Sequence, residues 1–184
     1  GIIPLYSLNL LKHDINYSLA TERFRNNKVD EIVVIINSPG GAISEGIIIY
    51  DYLRSLSKQG YKINTVASGN CMSAAMIILQ AGDRRFSTEN TMLMTHKAYL
   101  YLNAETSLKE SDQIEMMEIV ERENERMLEL FVKRTKLKRV MLTPYFQERS
   151  YYMTAQDAFS AGFIDEILLD GFNKSNMEKR SRVN

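Results

Sequence analysis

Glu31-Ile-Val-Val-Ile-Ile-Asn37, followed at once by Ser38-Pro39-Gly40-Gly41, is the stretch that decides the fold. A continuous β-branched run fits a strand buried on both faces, as in a parallel sheet, because a strand with one wet face would alternate. Ser-Pro-Gly-Gly then breaks the run with turn chemistry. Downstream, Ile43, Ile47, Tyr50 and Leu53 recur at helical spacing, and Gly60 ends that helix. A second strand over 61–68 completes a βαβ unit, with the crossover helix packed on the sheet.

Working outward, Asn16 is placed to cap a helix over 17–25. Residues 69–81 begin small and turn apolar, which predicts a buried helix, and 84–87 and 92–95 read as short strands. A long charged helix is expected over 104–135. Its middle, Glu121 to Arg126, is polar on every face, the pattern of a segment that projects into solvent or bridges subunits. Thr154-Ala-Gln-Asp157 is a capping-box variant opening a short helix that ends at Gly162. A last strand is expected over 163–169, and the tail over 170–184 is polar, basic and loose. The whole, 1–184, reads as a single α/β domain with a largely parallel sheet.

Composition narrows the function. Lys+Arg and Asp+Glu are 23 each in 184 residues, so no basic nucleic-acid footprint is expected and self-association meets little charge repulsion. No apolar run approaches the ~18 residues of a membrane span, and the opening Gly1-Ile2-Ile3-Pro4 has no signal-peptide layout. The single cysteine, Cys71, excludes an intrachain disulfide and a cysteine-based zinc site, and its apolar setting marks it as a buried filler. Only two histidines exist, His13 and His96, and His13 is expected on the surface.

Three features carry chemistry. Gly40-Gly41 follows the first strand, where glycine lets backbone N–H groups approach an oxyanion or a peptide; an ordinary strand-to-helix turn is the commoner role. In Gly69-Asn-Cys-Met-Ser73, the serine stands where a strand ends and a helix begins. That position exposes its hydroxyl and favours developing negative charge, although helix capping is the commoner use of such a serine. His96 ends the apolar run Met92-Leu-Met-Thr95, a place for either a crevice-facing base or a structural histidine. A serine nucleophile needs a base, so Ser73 and His96 stand or fall together.

These residues resemble a family, the ClpP peptidases, proteolytic subunits of the ATP-dependent Clp protease, over roughly 14–169. The resemblance is carried by Ile36-Asn-Ser-Pro-Gly-Gly41, by Gly46 with Ile49-Tyr-Asp51, and by Gly69 four residues before Ser73. It continues through Ala81-Gly82, Arg85-Phe86, Met94-Thr-His96, and Thr154-Ala with Ala158 and Gly162-Phe-Ile-Asp165. It implies a ClpP/crotonase-like βαβ spiral in which 97–134 form the handle that stacks two heptameric rings. It implies Ser73 as nucleophile, His96 as general base, the N–H groups of Gly40 and Ala74 as oxyanion hole, and Glu148 with Arg149 at the ring–ring contact. Unfolded polypeptide substrates, an AAA+ unfoldase partner, a homo-oligomeric ring or one mixed with an active paralogue, and no cofactor or metal follow from the same resemblance. So does an intracellular setting, in cytoplasm or a plastid-type organelle, with no nucleic acid or membrane as partner.

The departures are specific. Ser150 stands where the family has its triad aspartate. Lys97-Ala-Tyr-Leu-Tyr-Leu102 replaces a Gln-Pro and glycine-rich stretch that lines the peptide site. Ala74-Ala75 replaces Met-Gly, and 1–13 match poorly. A serine peptidase with a Ser–His pair and weak activity is therefore set against a non-catalytic ClpR-like ring subunit. A crotonase-type acyl-CoA enzyme shares the fold, but its pocket needs no serine–histidine pair.

Overall fold

The computed structural model describes residues 15–16, 30–98, 109–135, 137–146 and 149–169. The helix expected over 17–25, His13, the stretch 99–108 of the handle, Glu148 and the tail 170–184 lie outside the described residues. The Ile-rich run forms strand β1 (Glu31–Ser38), and the helical spacing after it forms α1 (Ile43–Lys58). Strand β2 (Lys62–Met72) runs parallel to β1, with Glu31 opposite Lys62 and Ile36 opposite Ala67. The βαβ unit is thus present. Among the described residues β1 pairs with β2 alone, however, and Ile35 is 53% exposed, so the expectation of a strand covered on both faces is corrected. Among the described residues β1 lies at the sheet edge, where one face of a strand is left less covered.

The second correction concerns β2. The sequence placed a strand end at Ser68 and a helix from Gly69, but the strand continues to Met72 and only Ala74–Leu79 is helical (α2). Gly69 adopts φ +87°, where a Cβ would stand 2.9 Å from Asn37 Oδ1. It bends the strand without ending it, and the register against β1 slips between Ile36 and Ser38. The bend lets β2 change partners. Asn64–Ala67 pair with β3 (Arg84–Thr88), and Asn70–Met72 pair with β4 (Met92–Thr95), all parallel.

Helix α3 (Glu110–Arg134) begins later than expected, with Lys109 extended at φ −65°, ψ 151°. It is followed by α4 (Arg139–Leu142), a 3₁₀ turn over Thr143–Phe146, and β5 (Tyr151–Met153). β5, which the sequence did not reveal, runs antiparallel to β4, with Thr95 opposite Tyr151. Helix α5 (Ala155–Ser160) opens on the expected capping box: Asp157 N–H donates to Thr154 Oγ1 and Thr154 N–H to Asp157 Oδ2. The last strand is shorter than expected, β6 (Glu166–Leu168), because Phe163 N–H closes the helix end on the Ala158 carbonyl at 2.8 Å. Among the described residues the sheet has six strands in the order β5-β4-β2-β3-β6, with β1 on β2.

The core gathers Leu53, Ile63, Met76, Ile77, Leu79 and Leu93, all fully buried. The C-terminal half of α3 joins it through Phe131, which meets Phe146 at 5.1 Å and Phe163 at 5.5 Å between ring centroids. A polar lock lies beside it. Buried Arg85 donates to both carboxylate oxygens of Asp165, to Gln80 Oε1 and to the Arg134 carbonyl. Burial would raise the Asp165 carboxyl pKa, but its bonds and charge contact with Arg85 hold it below the usual range.

Candidate active site

Ser73 occupies the single residue between β2 and α2, at φ 54°, ψ −124°. Among the described residues it alone, apart from glycines, has positive φ. Such a conformation costs about 1–3 kcal/mol and persists only where the surroundings enforce it. Here the enforcement is visible: Ser73 N–H donates to the Met94 carbonyl at 2.8 Å, joining the end of β2 to β4, while Met76 N–H caps back onto the Ser73 carbonyl. A sharp strand-to-helix turn of this kind holds a hydroxyl forward of the sheet. The serine makes no side-chain cap of α2, so the commoner capping role is not the one observed.

β4 brings the histidine. His96 follows Thr95, the last residue of the strand, and its Nε2 lies 2.8 Å from Ser73 Oγ. Its Nδ1 is buried. Burial lowers the imidazole pKa below its ordinary value, which favours the neutral ring that a general base requires. The pair singled out in the sequence is therefore in hydrogen-bond contact.

Gly40 packs directly on this turn. A Cβ added to it would meet Ser73 Cβ at 2.7 Å, the Met72 carbonyl at 2.8 Å and Ala74 N at 3.2 Å, and its φ is +106°. Only glycine permits both the conformation and the approach. Gly40 and Ala74 thus both lie beside Ser73. The Gly40 N–H donates to Ser38 Oγ at 3.1 Å, so it must exchange that bond to meet an oxyanion.

Ser150 directly precedes β5. Extending the antiparallel register by one residue beyond Thr95–Tyr151 sets it opposite His96. It is exposed. Asp157 is occupied by its capping box and Asp165 by Arg85, which leaves neither to serve the imidazole. Arg149 is exposed. Cys71 is fully buried and burial pushes its thiol pKa up, so it is the inert filler expected.

One residue escaped the sequence. Asn124, inside the run expected to be polar on every face, is buried, and its Oδ1 accepts the Ala98 N–H at 2.7 Å. No pattern marked it, since its neighbours Glu121, Arg122, Glu125 and Arg126 are exposed. Beside it a cavity of about 180 Å³ is lined by Lys97, Glu121, Asn124, Leu128 and Phe146, among others. Among the described residues no cluster of His, Cys, Asp and Glu has a metal-binding arrangement, and no helix is long and apolar enough to cross a membrane.

A largely parallel α/β sheet that sets a serine on a strained strand-to-helix turn within hydrogen-bond reach of a histidine is an arrangement that serine hydrolases use. The Clp protease family model matches residues 19–170. An ATP-dependent Clp protease proteolytic subunit of Deinococcus radiodurans is 28% identical over 144 residues, 77% of this chain and 67% of that one. The subunit of the same name from Dehalococcoides mccartyi is 30% identical over 152 residues, 82% of this chain and 72% of that one. A solved structure of a mutant ClpP1 from Listeria monocytogenes matches with a TM-score of 0.73 at 23% identity, covering 96% of this chain and 91% of that one, a likeness of fold. The chain belongs to the Clp protease family, as a relative of its proteolytic subunits. Family membership removes the crotonase-type alternative.

Proposed function

We propose that the chain is a serine peptidase subunit of a Clp-type ring, with Ser73 as nucleophile, His96 as general base, and low intrinsic turnover. The observation that carries this reading is the 2.8 Å contact between Ser73 Oγ and His96 Nε2 on a strained turn. In acylation, Nε2 takes the hydroxyl proton as Oγ bonds to the scissile carbonyl carbon, and the oxyanion turns toward Gly40 and Ala74. The imidazolium then protonates the leaving amine as the C–N bond breaks. Water, deprotonated by the same imidazole, hydrolyses the acyl-enzyme. The imidazolium formed twice in this cycle has no carboxylate at position 150 to stabilise it. In the well-studied serine-protease triad, replacing the aspartate by a neutral amide, which loses both the charge and the hold on the imidazole tautomer, lowers kcat by about 10⁴.

Ring assembly fits the surface. Ile35 on β1 and Ile114, Met117 and Ile119 on α3 are more than half exposed, a use of apolar area that a second subunit would cover. A heptameric ring, single or stacked, alone or mixed with an active paralogue, and an intracellular AAA+ unfoldase delivering unfolded polypeptide complete the reading. The second reading, a non-catalytic ring subunit, is favoured by Ser150 together with the occupied Gly40 N–H. A fluorophosphonate probe separates the two. The first predicts a single adduct at Ser73 that Ser73→Ala abolishes; absence of any adduct after long incubation supports the second. Native mass spectrometry tests the ring, and a stable monomer at micromolar concentration overturns it.

A further inference from the structure

His96 lies one residue past the last ladder pair of β4, so the strand holds it from the N-terminal side only. On that side Thr95 Oγ1 donates to the Tyr145 carbonyl at 2.6 Å. The C-terminal side is held by α3. Ala98 N–H donates to Asn124 Oδ1 at 2.7 Å, and Asn124 Nδ2 returns a longer bond of 3.5 Å to the Ala98 carbonyl. One helical turn earlier, Glu121 meets Lys97 Nζ at 3.3 Å. Asn124 is 8% exposed in an otherwise wet stretch of helix. Helix formation does not ask for asparagine, which is a middling helix former. A buried amide is costly unless bonded, and the bonds this one makes are to the backbone two residues after the histidine.

We propose that Asn124 is a positioning residue for His96: by accepting the Ala98 N–H it fixes the chain just beyond the imidazole and so the placement of Nε2 against Ser73. The inference rests on the Ser73–His96 reading for its catalytic meaning, and on the two hydrogen bonds for its geometry. Two short anchors, at Thr95 and Ala98, bracket the histidine and leave two residues between fixed points. Release of the second lets the backbone at residues 96 and 97 rotate. A misplacement of about 1 Å in a catalytic group costs about 10²-fold in rate.

The test uses the full chain and the variants Asn124→Ala, Asn124→Leu and Asn124→Asp, with thermal melting to confirm folding. Two quantities are measured: the rate of Ser73 modification by a fluorophosphonate, and deuterium exchange at the His96 ring Cε1–H by mass spectrometry, with His13 as internal reference. Asn124→Ala is expected to slow modification about 10- to 100-fold and to speed His96 exchange several-fold. Asn124→Asp keeps an acceptor for the Ala98 N–H and is expected to stay near the wild type in both. Asn124→Leu fills the same volume without an acceptor and replaces the alanine variant if that one fails to fold. Unchanged modification and exchange in the folded alanine or leucine variant overturn the proposal, as does an aspartate variant that falls as far as they do. If the wild type itself is not modified at Ser73, the nucleophile reading fails, and exchange alone decides Asn124. Faster exchange in Ala and Leu but not Asp upholds the positioning role, and equal exchange in all overturns it.

Discussion

Ser150→Asp is expected to raise peptide turnover, and the register allows the size to be worked out. Directly opposed residues on an antiparallel pair have Cα atoms about 4.5–5.5 Å apart with side chains on the same face. A carboxylate at position 150 would therefore come within about 4 Å of the imidazole, where opposite unit charges attract by about 4 kcal/mol at an effective dielectric of 20 and about 1 kcal/mol in bulk water. Position 150 is exposed, which places the expected gain between these limits, about 2–3 kcal/mol. At 1.36 kcal/mol per decade this is about 30- to 150-fold in kcat. The assay is hydrolysis of a short fluorogenic peptide by wild type, Ser150→Asp and Ser150→Asn, with oligomeric state checked in parallel. The asparagine variant, which adds no charge, should gain little. Because the new carboxylate favours the imidazolium, the acid limb of the pH–rate profile should also move upward in Ser150→Asp. Wild-type turnover equal to that of an intact-triad relative would refute the reasoning, by showing that another group already stabilises the imidazolium. Absence of a gain, with Ser73 still reactive, would place the defect in the stretch after His96.

Burial holds the His96 pKa below its ordinary value of about 6.5, so Ser73 modification should persist below pH 6.5 and fall only as the imidazole protonates at its lower value; a half-point above 6.5 would contradict the burial seen here. Gly40→Ala places a methyl 2.7 Å from Ser73 Cβ in a backbone region closed to alanine, and should cost about 2–4 kcal/mol by urea denaturation as well as abolish Ser73 labelling. Asp165 has a folded pKa depressed by Arg85, so its stabilisation is complete above its unfolded pKa of about 3.9 and is lost as pH falls from there through the folded value. Asp165→Asn should therefore destabilise by about 2–3 kcal/mol at pH 7, less than a fully buried pair because the carboxylate is one-third exposed, and should flatten the acid limb of the stability curve; equal acid sensitivity of both proteins would reject the assignment.

Some of this protein was legible in one dimension because the forces concerned are local. The β-branched run of β1, the apolar spacing of α1 and the Thr154–Asp157 capping box each act within a few residues, and each is present. Ser73 and His96 were nameable because a serine at a strand end and a scarce histidine after an apolar strand are chemically conspicuous; the need of a serine for a base paired them, and the family resemblance supplied their roles. The rest depended on contacts between distant segments. Gly69 permits either a break or a bend, and the pairing of Asn70–Met72 with β4 is what selected the bend. Ser150 acquired its place opposite His96 only when β5, too short to show any periodicity, added to β4. Asn124 sits among charges that specify a wet helix, and nothing in its neighbours reveals that Ala98, 26 positions earlier, lacks a partner until the amide arrives. Local sequence chose the elements and the reactive groups; the distances between those groups were decided by which backbone donors and acceptors the folded chain had left to satisfy.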